Sequence, residues 1–189
     1  MPESRPEPSE SIEGTIVFTD IVGFTEFTAT RGDAEALQLL ATQDRLVQSA
    51  LPEGARVVKE LGDGLLLWFA DPVTALDSAF TLHRCFEAES SATGLPLWIR
   101  IGMHHGKALR RGADIVGHDV NLAARIVDVA APGEVLVSDA VRTAVYPRSA
   151  HVRFSELGPV VMKGVPAPTR LWRARSAAED RCGVPADRR

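Results

Sequence analysis

An apolar, β-branched run that ends in a carboxylate and a glycine turn sets the frame for the chain: Gly14-Thr15-Ile16-Val17-Phe18-Thr19-Asp20-Ile21-Val22-Gly23-Phe24-Thr25. β-Branched and aromatic residues suit a pleated, packed surface, so Val17, Phe18 and their neighbours predict a buried strand. Asp20 stands where that strand leaves the sheet. Gly23 permits a sharp turn, and Phe24 and Thr25 open a new element whose free backbone N–H groups could face an anion. A carboxylate at a strand end beside a helix N-terminus suits a metal-bound phosphate. Taken alone, Asp20 reads more simply as a turn residue.

The rest of the chain alternates helices with strands. Arg31-Gly32-Asp33 supplies a turn with Asp33 as N-cap, and Ala34 to Ala50 predicts a helix with an apolar stripe of Ala36, Leu39, Leu40, Leu46 and Val47. Leu51-Pro52-Glu53-Gly54 breaks it. Arg56 to Leu61 and Leu65 to Phe69 are strand-like, and Asp63-Gly64 between them is a hairpin signal that puts Asp63 exposed at the tip. Asp71 at N-cap and Pro72 at N1 open a helix to about Ala88, burying Leu76, Phe80 and Phe86. Leu97 to Leu109 predicts a strand, Asp114 to Val116 a short extended piece, and His118 to Ala130 a helix stopped by Pro132-Gly133. A strand at Glu134 to Ser138 and a short helix at Asp139 to Val145 follow. Val152 to Leu157, Val160 to Lys163 and Thr169 to Arg173 are expected to be the last strands.

Met1 to Glu13 carries three prolines and little to bury, so it reads as a disordered leader, and residues 176–189 read as a flexible tail. Residues 14–175 between them form one domain, long enough to bury a sizeable core. Because several strand pairs are hairpins, the pattern predicts an α+β fold, a mixed or antiparallel sheet with helices packed on one face.

Composition removes several classes of function. The net charge of −4 offers no broad basic field for nucleic acid. Cys85 and Cys182 make no disulfide framework and fit a reducing cytosol. No run of eighteen apolar residues exists to span a membrane, and the N-terminus lacks an apolar signal core, so a cytoplasmic location is expected. Neither GxGxxG nor the GxxxxGK phosphate loop occurs.

Chemistry enters with a second carboxylate. Asp20 ends one strand, and Asp63 tips a hairpin expected to pair beside it. Two carboxylates at one sheet edge repel unless a cation lies between them, which is the arrangement two Mg²⁺ ions need in phosphoryl or nucleotidyl transfer.

Phe18-Thr19-Asp20-Ile21-Val22-Gly23-Phe24-Thr25 followed by Leu61-Gly62-Asp63-Gly64 resembles the catalytic domain of the class III adenylate and guanylate cyclases. Gly102-Met103-His104-His105-Gly106 is similar to that family's G-x-H-x-G strand. Gly117-His118-Asp119-Val120-Asn121-Leu122-Ala123-Ala124-Arg125 is similar to its G-x-x-V-N-x-A-x-R helix. The resemblance covers Gly14 to Arg175 and implies a ferredoxin-like, palm-type sheet. It also implies a head-to-tail homodimer with shared active sites and two divalent cations, Mg²⁺ or Mn²⁺. On this likeness Asp20 and Asp63 are metal carboxylates, with the Ile21 carbonyl as an extra ligand. Lys59 and Asp114 select the base, Asn121 orients the ribose, Arg125 meets the α-phosphate, and Lys163 binds the terminal phosphates. Phe24 and Thr25 would contribute to phosphate binding.

Residue chemistry is consistent with those roles. Asn121 and Arg125 are four apart on one helix and share a face. Arg125 offers a planar fork of donors for phosphate oxygens. His104 and His105 are adjacent on a strand, point to opposite faces and read as structural. Adenine presents an amino donor and a ring-nitrogen acceptor, matching an Asp and a Lys; guanine presents the reverse. Lys59 with Asp114 therefore suits ATP, and an adenylate cyclase is expected. The alternatives are a guanylate cyclase or a degenerate nucleotide-sensing or dimerisation domain. A diguanylate cyclase would need a Gly-Gly-Asp/Glu-Glu-Phe loop, which the sequence lacks.

Overall fold

The computed structural model describes residues 10–178. At its centre is β1 (Ser11–Ile21), antiparallel to β3 (Gly64–Phe69) on one side and β4 (Ile99–Arg111) on the other. β2 (Arg56–Leu61) pairs outside β3 across the turn at Gly62 and Asp63. Beyond β4 come β6 (Val135–Ser138), β8 (Thr169–Ser176) and β7 (Val152–Val160), giving the order β2-β3-β1-β4-β6-β8-β7. β5 (Asp114–Val116) folds back on the end of β4. The β4–β6 pair is parallel and the other pairs antiparallel, so the sheet is mixed as the hairpins predict.

Five helices cover it: α1 (Phe24–Arg31), α2 (Asp33–Ala50), α3 (Pro72–Thr93), α4 (His118–Val129) and α5 (Asp139–Val145). The two-residue period of β1 divides its side chains between two cores. Val17 and Ile21 join Leu39, Phe80 and Val141 under α2, α3 and α5, whereas Ile16 and Phe18 join Val120, Ala123 and Val127 under α4. The larger helical layer thus lies on one face, as expected, and α4 lies on the other. A third cluster, of Leu122, Ile126, Leu136, Met162 and Leu171, continues the α4 side toward β6 and β8.

Some boundaries differ from the sequence reading. β1 begins at Ser11, where Ser11, Ile12 and Glu13 pair with Leu109, Ala108 and Lys107. The long β4 offers these polar residues backbone partners that composition does not reveal. Residues 1–9 of the leader and 179–189 of the tail lie outside the described residues; Ser176 is the last residue of β8. Gly32 rather than Asp33 is the N-cap of α2. Val160 to Lys163 is not a separate strand. β7 carries through a bulge at Gly158 to Val160, after which Val165 N–H donates to the Met162 carbonyl (3.1 Å) and closes a turn. Burial of Met162 beneath α4 draws that turn off the sheet.

Candidate active site

The strand register brings the two predicted carboxylates together. Asp20 lies opposite Gly64 on β3, and Asp63 is the residue before Gly64, so the β2–β3 turn presents its carboxyl beside the end of β1. Asp63 is half-buried rather than exposed at a tip. Burial, followed by the negative charge of Asp20, pushes its carboxyl above the usual carboxylate value. By the alternation of β1, Asp20 shares the α4 face with Ile16 and Phe18. Its β4 neighbour Arg100 donates from Nε to Oδ2 at 2.7 Å and completes the ion pair with Nη2 at 2.7 Å from the same oxygen. Arg100 was not singled out from the sequence, because only the long-range β1–β4 register puts it against Asp20.

This donor set fits a hard divalent cation. Among the described residues no three or more His, Cys, Asp or Glu side chains converge. A cation here would draw on the carboxylates of Asp20 and Asp63 and on backbone oxygen; the Ile21 side chain is buried in the core, so Ile21 could offer only its carbonyl. Mg²⁺ and Mn²⁺ accept few carboxylates and complete their shells with water and phosphate oxygens. At the start of α1, Gly23 (φ 77°) provides no side-chain cap, so the N–H groups of Phe24 and Thr25 have no capping partner. The Phe24 ring packs on the core, leaving its backbone as the part able to face an anion.

A second cluster joins Lys59 and Asp114, which are 55 residues apart. Lys59 Nζ donates to Asp114 Oδ2 at 2.8 Å, and Ile115 N–H donates to Asp114 Oδ1 at 2.8 Å. The Lys59 hydrogen bond is the main reason that the Asp114 carboxyl sits below its usual range. It is thus ionised near neutral pH and presents acceptors only.

The third cluster is a cleft of about 330 Å³ between α4 and the β7–β8 turn, lined by His118, Asn121, Arg125 and Lys163 among others. Val120, Ala123 and Val127 turn one side of α4 to the sheet, and Asn121 and Arg125 stay exposed. Lys163 reaches the same cleft because Met162 anchors its turn. His118 was missed in the sequence, although it stands three residues before Asn121 and seven before Arg125, on the same helical face. Arg125 Nη1 donates to Asp128 Oδ2 at 2.7 Å. Among the described residues no hydrogen bond or ion pair joins Asp20 or Asp63 directly to Lys59, Asn121, Arg125 or Lys163. Arg100, which holds Asp20, also donates to the Asp128 carbonyl at 3.3 Å.

Residues 6–173 match the model of the adenylate and guanylate cyclase catalytic domain. The chain belongs to that family. A pH-sensitive adenylate cyclase of Mycobacterium tuberculosis is 31% identical over 166 residues, 87% of this chain. The chain spans 41% of that relative's length. In three dimensions the cyclase fold is shared with the adenylyl cyclase CyaB of P. aeruginosa, at TM-score 0.80 and 23% identity, covering 89% of this chain and 96% of that one. A guanylate cyclase domain from Catenaria anguillulae, solved in complex with GTP, superposes at TM-score 0.71 and 20% identity, covering 89% of this chain and 99% of that one. Cyclase catalytic domains act on a nucleotide and use divalent cations. No described helix of this cyclase domain is long and apolar enough to cross a membrane.

Proposed function

We propose that this domain is an adenylate cyclase, converting ATP to 3′,5′-cyclic AMP and pyrophosphate at a site shared by two copies of the chain. The observation that carries the choice of ATP is the Lys59–Asp114 pair. Its ammonium and ionised carboxylate supply one donor and one acceptor side by side. That pattern complements the ring nitrogen and amino group of adenine and opposes those of guanine. Once a bound base covers the pair, the wrong base would leave its donor and acceptor unpaired, which is the basis of strong discrimination.

The absence of direct bonds between the carboxylate cluster and the α4 cleft supports a shared site. One copy supplies Asp20, Asp63 and the Ile21 carbonyl; the other supplies Lys59, Asp114, Asn121, Arg125 and Lys163. Two divalent ions held by Asp20 and Asp63 would acidify the ribose 3′-OH and neutralise phosphate charge. Asn121 holds the ribose so that its 3′-oxygen lies in line with the α-phosphorus. Arg125 leaves Asp128 for the α-phosphate, where its fork stabilises the charge that develops as pyrophosphate departs. Lys163 and the N–H groups of Phe24 and Thr25 hold the terminal phosphates.

The test is product formation from ATP and from GTP with Mg²⁺ or Mn²⁺, for the parent and for the Lys59→Glu, Asp114→Gly double variant. Cyclic AMP from the parent, with preference moving toward GTP in the variant, is the expected result. Cyclic GMP as the parent's main product would overturn the choice of base. Absence of product from either nucleotide at high protein concentration would favour a nucleotide-sensing domain.

A further inference from the structure

We infer that Asp119, bonded to the Lys107 backbone, flanked by His104 and accommodated by Gly106, is a positioning residue that sets α4, and with it Asn121 and Arg125, on the sheet. The inference rests on the shared-site reading above.

The outer edge of β4 has a gap in its ladder. β6 pairs with it as far as Met103, and β5 begins pairing at Leu109. In that gap the Lys107 N–H is taken by a side chain from the first turn of α4: it donates to Asp119 Oδ2 at 2.7 Å. The carboxylate thus ties the helix to the strand by a backbone bond. Room for it exists only because residue 106 is glycine. A Cβ there would lie 2.1 Å from Asp119 Oδ2 and 2.8 Å from its Cγ.

His104 closes the arrangement from below. It is 9% exposed and shares the α4 face with Arg100 and Gly102. Its Nε2 lies 3.6 Å from Asp119 Oδ1, and its Nδ1 lies 2.8 Å from Ser138 Oγ. The groups facing it are Asp119 and His118 from α4 and Ser138 from β6; His105, next on its own strand, is near enough to act on it through charge but points to the other face. Burial keeps the imidazole below its usual pKa, hence neutral near neutral pH, with one ring nitrogen donating and the other accepting.

Asp119 does not line the α4 cleft, yet Asn121 follows it by two residues and Arg125 by six. A helix that loses this tie can slide or lift at its N-terminal end. A displacement of about 1 Å at reacting groups costs up to about a hundredfold in rate. Among the described residues no hydrogen bond or ion pair joins Asp20 or Asp63 to Asp119, His104 or Lys107; Arg100, which holds Asp20, meets α4 only at the Asp128 carbonyl near its far end. Loss of Asp119 should therefore damage one half of a shared site and spare the other.

Subunit mixing reads that difference. Asp119→Ala is expected to lower cyclase activity about tenfold to a hundredfold. Mixed with the metal-half variant Asp20→Ala, it should regain activity, because each mixed dimer then holds one site with both halves intact. Mixed with Arg125→Ala, which lacks the same half, it should regain none. Asp119→Asn keeps an acceptor for Lys107 N–H and should restore most of the rate. Gly106→Ala, which evicts the carboxylate without removing it, should reproduce the mixing pattern even if Asp119→Ala folds poorly. Asp20→Ala mixed with Arg125→Ala is the control for the shared site itself. If that control regains activity while Asp119→Ala or Gly106→Ala is rescued by neither partner, or by both, the positioning role is wrong. If the control fails, the shared-site reading is what falls.

Discussion

Asp63 is the residue whose chemistry is most exposed by the fold. Its half-buried carboxyl beside that of Asp20 is an unfavourable arrangement, relieved in part by Arg100 across the strand. Under the proposed function this is stability given up for a cation site. A divalent ion at a hundredfold excess over its Kd should stabilise the parent by about 2.7 kcal/mol, a rise in Tm of roughly 5–10 °C for a domain of this size. Asp63→Asn should remove most of that response. Without metal it should melt above the parent, because the repulsion with Asp20 is gone. Thermal melts of both proteins with and without Mn²⁺ check this, and an unchanged metal response in the variant would remove Asp63 from the donor set. Lys59 and Asp114 are different in kind. They are a partly exposed ion pair, which contributes little to stability, so exchanging them for specificity should leave Tm nearly unchanged.

At the scale of elements, the contact between β4 and α4 decides the geometry of the substrate half. Gly102 lies under the last turn of the helix, and a Cβ there would meet the backbone of Val127 at 2.2 Å and that of Ile126 at 2.9 Å. Backbone atoms of a packed helix cannot step aside as a flexible side chain can. Gly102→Ala should therefore lift α4 and cost about 1–3 kcal/mol or more, with activity falling along with stability. Chemical denaturation beside an activity assay measures both. The G-x-H-x-G spacing is thus a seat for a helix: two glycines clear the space, and the histidine between them fills the room beside Asp119, which anchors the first turn on the Lys107 N–H. His105, one residue on, turns to the other face, where its Nδ1 lies 3.0 Å from Thr15 Oγ1. The opposite orientations of His104 and His105 were legible from strand alternation. The link between His104 and Asp119 was not, since it requires knowing which helix crosses that strand.

For the molecule as a whole, the proposed site falls into pieces that no hydrogen bond or ion pair joins within one copy among the described residues. Activity should consequently depend on association. Specific activity is expected to fall on dilution, along the same curve as the dimer fraction measured by sedimentation. Specific activity that stays constant into the range where the protein is monomeric would mean that one copy holds a complete site.

The local chemistry of the site was already written in the sequence. Hairpin, cap and strand signals are interactions among near neighbours, so they located Asp20 at a strand end, Asp63 in a turn and Asp71 as a helix cap donating nothing and accepting from Thr74 N–H. Asn121 and Arg125 share a face because helical spacing requires it. What required the folded chain were the long-range registers. The pairing of β1 with β4 puts Arg100 on Asp20, and the crossing of α4 over Gly102 and Gly106 places that helix on the opposite face from α2 and α3. Burial of Met162 carries Lys163 to the α4 cleft instead of extending a strand. Each of these depends on surfaces distant in sequence meeting at van der Waals distance, and no local propensity encodes which surfaces those are.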